Sequence, residues 1–199
     1  MKRIALIAFA LLVVLAGCSS QRTVTRTAVD ETIDVSGRWN DIDSQEVANQ
    51  IVTDVLARPW LSDFMMANGQ KPVVVVGPVR NKSSEHIPVD AFVKDIEREL
   101  VNSGKIRFVA GDAMRDALEA EIMHQQTNAS EETVKRLAAQ TGADFMLMGS
   151  LISIEDKLEG RKVVYYQADM ELINIETHEK VWMGTKKIKK LVEQSGARW

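Results

Sequence analysis

The sequence predicts an α/β fold: a small mixed β-sheet flanked by helices, ending in an antiparallel strand meander. Three observations predict it. Apolar residues recur at helical spacing between residues 47 and 56 and again between 89 and 100. Pro72-Val73-Val74-Val75-Val76 is a continuous β-branched run, which suits a strand covered on both faces. Residues 162–173 alternate, with Val164, Tyr166, Ala168, Met170 and Leu172 on one face.

Taken in order, the body opens at SGRWNDIDS, residues 36–44. Asp43 and Glu46 have capping-box spacing, and Val47, Ile51 and Val55, with Ala48, Val52 and Leu56 beside them, form the stripe of a helix that stops at Pro59. Trp60 and a polar turn at Asn68-Gly69 lead into the valine strand. A second helix starts near Pro88, buries Val89, Phe92, Val93, Ile96 and Leu100, and ends before Gly104. Ile106 to Val109 reads as a short strand. Asp112 caps a helix to about His124, and Asn128 with Glu131 opens another that stops at Gly142. Strands are then expected at Phe145–Ile154, at 162–173 and at Val181–Lys190, with a turn at NIETHEK, residues 174–180. Helices interleaved with strands, followed by a meander, imply one mixed sheet with helices packed against it.

The first 35 residues have a different character. Met1-Lys2-Arg3 is a basic head, Ile4 to Leu15 is almost unbroken apolar sequence, and Ala16-Gly17 precede Cys18, the only cysteine. That is the layout of a secretory leader, too short in its apolar part to span a bilayer. Leu15-Ala16-Gly17-Cys18 resembles a bacterial lipobox, in which the cysteine becomes the first mature residue and its sulfur carries lipid. The expected organisation is a signal peptide at 1–17, a lipidated cysteine with a flexible tether at 18–35, and a single domain at 36–199. Ser19 stands where an aspartate is the usual signal for inner-membrane retention, which favours the outer membrane. Residues 19–35 contain no proline; their coil dimension is about 20–25 Å and their taut limit roughly 55–60 Å.

Composition excludes several function classes. Removing residues 1–17 takes Lys2 and Arg3 from the 25 basic residues and none of the 28 acidic ones, leaving a net charge of −5. An acidic body is a poor nucleic-acid binder, because that affinity comes from basic groups on phosphates. With Cys18 lipidated, disulfides, thiolate metal sites and cysteine nucleophiles are excluded. GPVRNKSS, residues 77–84, follows a strand but has Asn81 where a phosphate loop needs glycine before its lysine. His86, His124 and His178 are isolated, so no metal site is expected. Ser150 lacks a nucleophile elbow, and Asp95, Glu97 and Glu99 sit on a charged helix face. No catalytic residue and no cofactor is expected.

Two features remain as candidates for partner binding. Trp39 beside Arg38, and Trp60 near Arg58, have the aromatic-plus-arginine character of contact hot spots, and serve equally as residues that pin the first helix to the body. TKKIKKL, residues 185–191, places Lys186 and Lys190 on one strand face and Lys187 and Lys189 on the other. Such lysines either guard a sheet edge or meet an acidic partner or membrane headgroups.

SGRWNDIDS, RPW at 58–60, VRNKSSEHI at 79–87, NASEET at 128–133, TGADFMLMGS at 141–150 and ELINIETHEKVW at 171–182 together resemble one family, the penicillin-binding protein activator LpoB lipoproteins. The resemblance covers nearly the whole chain. It implies a domain similar to the N-terminal domain of TolB, and a non-enzymatic role. The implied partner is a penicillin-binding protein, a bifunctional peptidoglycan synthase whose glycosyltransfer and transpeptidation the lipoprotein stimulates. Members that act from the outer membrane have a long proline-rich tether, and this chain departs from them there. The alternative is a CsgG-like secretion or envelope-assembly lipoprotein, which needs several long amphipathic strands to build a barrel.

Overall fold

The computed structural model of the chain describes residues 24–28, 31, 33–111, 116 and 141–193. The leader, Cys18, His124 and the two helices expected between Asp112 and Gly142 lie outside these residues. Residues 24–28 are exposed and without regular structure. The described body contains helices α1 (Asp41–Leu56), α2 (Pro59–Asn68) and α3 (Val89–Asn102) and strands β1 (Val73–Asn81), β2 (Arg107–Phe108), β3 (Phe145–Leu158), β4 (Arg161–Asn174) and β5 (Lys180–Glu193). They form one five-stranded sheet in the order β2-β1-β3-β4-β5. β2 and β3 run parallel to β1, and β4 and β5 complete an antiparallel meander, so the sheet is mixed as expected.

The first helix begins three residues earlier than Asp43 and Glu46 suggested. The Asn40 side chain accepts from the Asp43 amide at 3.0 Å while Asp43 accepts from the Asn40 amide at 2.8 Å. This reciprocal box satisfies donors that the first turn would otherwise leave open. Pro59 does not merely stop α1; it stands in the first turn of α2, where its missing N–H costs nothing. The stretch read as Trp60 and a turn is therefore a ten-residue helix. Only Trp60 and Leu61 of it are buried, too thin a stripe for periodicity to register. Gly69 ends it in the left-handed region at φ 67°.

β1 is buried on both faces, as its valines predict. Val74 and Val76 join the main core beneath α1 and α3, while Val73 and Val75 cluster with Ala143, Met146 and Ile175 on the other face. The ladder to β3 then slips. Val76 pairs with Leu147 but Val79 pairs with Gly149, so β1 spends one more residue than its neighbour at Gly77-Pro78. A bulge of this kind reverses which face each later side chain takes. Val79 is thereby turned back to the helix side, and Pro78, Arg80 and Lys82 to the open face. Arg80 and Asn81 are strand residues, which is why no phosphate-binding loop forms there.

All three meander strands run fourteen residues, longer than their alternation alone indicated. Glu155, Lys157 and Lys162 look like loop composition, yet Lys157 and Lys162 both pair with Glu155, at 3.1 and 3.2 Å. The turn comes later, at Glu159-Gly160, both at positive φ. Val164, Tyr166, Ala168, Met170 and Leu172 are all buried against the helices, on the predicted face.

Candidate partner-binding surface

The sheet has two unlike faces. One is covered by α1 and α3; the other carries Met148, Ser150, Ile152 and Ile154 of β3, Tyr165, Gln167 and Asp169 of β4, and Met183, Thr185, Lys187, Lys189 and Leu191 of β5. These residues are half-buried or exposed, Ile154 by 59%, Met183 by 69% and Leu191 by 62%. A shallow groove of about 270 Å³ runs across this open face between Arg80 and Thr185. Asp169 within it is already engaged, accepting from Gln167 and from the Thr185 hydroxyl at 2.7 Å. No group of three potential metal ligands occurs among the described residues, and His86 and His178 are exposed.

Trp39 is a strut of the segment that enters the body. Its ring meets Phe92 and Tyr166 edge-on at 6.0 and 5.5 Å, its indole N–H donates to Ser44 Oγ at 2.7 Å, and its amide donates to Glu85. Tyr166 in turn donates its hydroxyl proton to Glu85 at 2.7 Å and to the Gly37 carbonyl at 3.2 Å. Burial pushes the Tyr166 phenol far above its ordinary pKa, and the Glu85 carboxylate adds to that, so it remains a neutral donor. Gly37 sits at φ 68° with its Cα pressed against Val192, where a Cβ would collide.

Lys190 lies at the heart of the same end. Its ammonium donates to Asp43 at 2.6 Å, Asp34 at 2.8 Å and the Arg38 carbonyl at 3.0 Å, which uses all three of its donors. Burial disfavours its charge, but the hydrogen bonds and charges of Asp34 and Asp43 outweigh that and hold its pKa above the ordinary lysine value. Lys190 thus closes residues 34–40 as a strap across the end of β4 and β5. Arg38 contributes its carbonyl to this clasp and leaves its side chain exposed.

Trp60 lies apart from Trp39. It is buried, donates to the Val55 carbonyl at 2.6 Å and stacks edge-on with Phe145 at 4.9 Å, joining α2 to α1 and β3. Lys186 is half-buried on the helix side, opposite Ala168. Desolvation alone would raise the pKa of nearby Asp54. Its bonds to Arg58 and to the Trp182 indole, with the Lys186 charge, hold it below the usual carboxylate range. Lys187 and Lys189 are exposed on the open face and meet no acidic group among the described residues. Of the seven sequence candidates, Arg38, Trp39 and Lys190 therefore come together at the strap. Lys187 and Lys189 share the opposite face, Lys186 lies on the helix side near Asp54, and Trp60 stands apart from all of them. Glu85, Asp34 and Asp43, which hold the strap, are not legible as partners in the sequence, because Glu85 is 81 positions from Tyr166, Asp43 is 147 from Lys190 and Asp34 lies farther still, so only folding brings them together.

The family model described as peptidoglycan-synthase activator LpoB matches residues 43–188. Among solved structures, the chain is similar to the LpoB C-terminal domain from Escherichia coli, at 16% identity and a TM-score of 0.48, covering 74% of this chain and 99% of that one. It is also similar to the LpoB C-terminal domain from Salmonella enterica, at 20% identity and a TM-score of 0.38, covering 68% and 94%. A third is lipoprotein GNA1162 from Neisseria meningitidis, at 16% identity and a TM-score of 0.42, covering 63% and 88%. No curated protein matches the chain. The matched stretch runs from the capping box of α1 to Ile188 within β5, and the chain belongs to the peptidoglycan-synthase activator LpoB family.

Proposed function

We propose that this chain is a non-enzymatic lipoprotein of the outer membrane, anchored through Cys18 and facing the periplasm, that binds a bifunctional penicillin-binding protein and stimulates it. The observation that carries the reading is the family match over residues 43–188. The leader and the lipobox at residues 15–18 support the anchor. A tether of residues 19–35 reaches at most roughly 60 Å, so the docking domain of the synthase must come within that distance of the anchoring membrane. A CsgG-like barrel is disfavoured by the open sheet face: Gln167, Asp169, Lys187 and Lys189 occupy its middle, where a lipid-facing band is apolar.

The test uses the mature lipoprotein in detergent with the bifunctional synthase of the same cell. Co-purification and several-fold faster glycan polymerisation are expected. An unchanged rate without complex formation overturns the proposal. For the anchor, Cys18→Ser is expected to abolish palmitate labelling and to move the protein from the outer-membrane fraction to the soluble one. A variant that stays membrane-bound overturns lipidation at this residue.

A further inference from the structure

We propose that the outer edge of β5 is a docking site for an extended, acidic strand of a partner protein, which adds to the sheet as a sixth strand. The inference deepens the proposed function by naming the chemistry and mode of docking, and it rests on that reading.

The backbone supplies the first argument. β5 is the last strand of the sheet, and its register with β4 is unbroken from Met183 to Glu193. Every second residue of such a strand turns its N–H and C=O away from its neighbour, leaving a regular ladder open. Nothing among the described residues pairs with that side.

Charge decides which strand fits. Lys187 and Lys189 point from this edge onto the open face, opposite Gln167 and Tyr165, without a counter-charge among the described residues. Lys186 adds positive potential from the other face. A second copy of β5 is a poor occupant. Antiparallel pairing centred on Ile188 sets Lys187 against the copy's lysine at position 189, and Lys186 against the one at 190, and like charges directly opposed are destabilising. An apolar strand would have to strip water from these ammonium groups. A strand with acids at alternate positions converts the same guard into attraction.

The flanks add a pattern. Met183, Thr185, Lys187, Lys189 and Leu191 lie in one row on the open face, with exposed apolar residues at both ends. An antiparallel strand that matches them reads apolar, acidic, acidic, small polar, apolar at every second position. Affinity would come from the ladder and selectivity from this row.

The probe is the acetylated, amidated peptide Leu-Thr-Glu-Thr-Glu-Thr-Ser-Thr-Leu, titrated by fluorescence anisotropy into the full-length lipoprotein in neutral detergent. Saturable binding is expected, with at least tenfold slower amide exchange along β5. A tenfold or greater loss of affinity is expected for the Lys187→Glu/Lys189→Glu variant, whose lysines lie outside the clasp and the core. A peptide with its serine replaced by proline, which keeps the charge but removes the ladder donor opposite Thr185, should bind at least tenfold more weakly. Equal binding of the proline peptide overturns strand addition in favour of charge attraction alone. Absence of binding overturns the site, as does capture by phosphatidylglycerol vesicles without capture by the peptide. Concentration-dependent dimerisation that Lys187→Glu strengthens would overturn it by assigning the edge to a second copy. Failure of peptide binding with synthase stimulation intact removes only this site. Failure of stimulation with peptide binding intact removes only the proposed function.

Discussion

Trp39→Ala is expected to lower the unfolding free energy by about 3 kcal/mol, and Lys187→Glu to change it by less than about 0.5 kcal/mol. The contrast follows from what each side chain touches. Trp39 is half-buried between Phe92 of α3 and Tyr166 of β4, and its indole is bonded to Ser44 of α1. Truncation removes contacts with three elements at once and leaves a void that the close-packed ends of α1 and α3 cannot collapse to fill. Trp39→Phe keeps most of the ring packing and loses the bond to Ser44, so its expected cost is about 1 kcal/mol. Urea denaturation of the three variants measures the series. A loss below about 1 kcal/mol for Trp39→Ala would show that the ring is dispensable to the fold and restore it as a candidate contact for a partner.

What the sequence made legible follows from the range of the interactions involved. The stripes of α1 and α3 and the alternation of β4 depend on residues a few positions apart, and each was placed on its correct face. The bulge at Gly77-Pro78 depends on pairing with Leu147 and Gly149, about seventy positions away, and no local pattern announces it. α2 escaped notice because it buries so little of itself. The lysine run shows the same division. Alternation correctly put Lys186 and Lys190 on one face and Lys187 and Lys189 on the other. Which of the four is free is a tertiary matter, since Lys190 is taken up by Asp34 and Asp43 from the far end of the sequence.

Lys190→Met carries the second large effect, an expected loss of about 3 kcal/mol. The methionine fits the aliphatic path of the lysine, so packing is largely kept; what is lost is the cation between two carboxylates. Asp43 is the costly partner because it is 8% exposed, and without Lys190 it keeps only the Asn40 amide as a close donor to Oδ2. Asp34 is 34% exposed and water compensates it, so its share is small. This division predicts non-additivity: Asp43→Asn combined with Lys190→Met removes the stranded charge and should be more stable than Lys190→Met alone by about 1 kcal/mol. The pH dependence has a definite sign. The folded-state pKa of Lys190 lies above its unfolded value of 10.5, so its stabilisation is fully present below that value. It is lost as pH rises through the higher folded value. The gap in stability between the native protein and Lys190→Met should therefore stay constant from neutrality to about pH 10 and narrow above it. A gap that narrows well below that point, or a double variant no more stable than the single one, would show that Lys190 does not hold the strap through its charge.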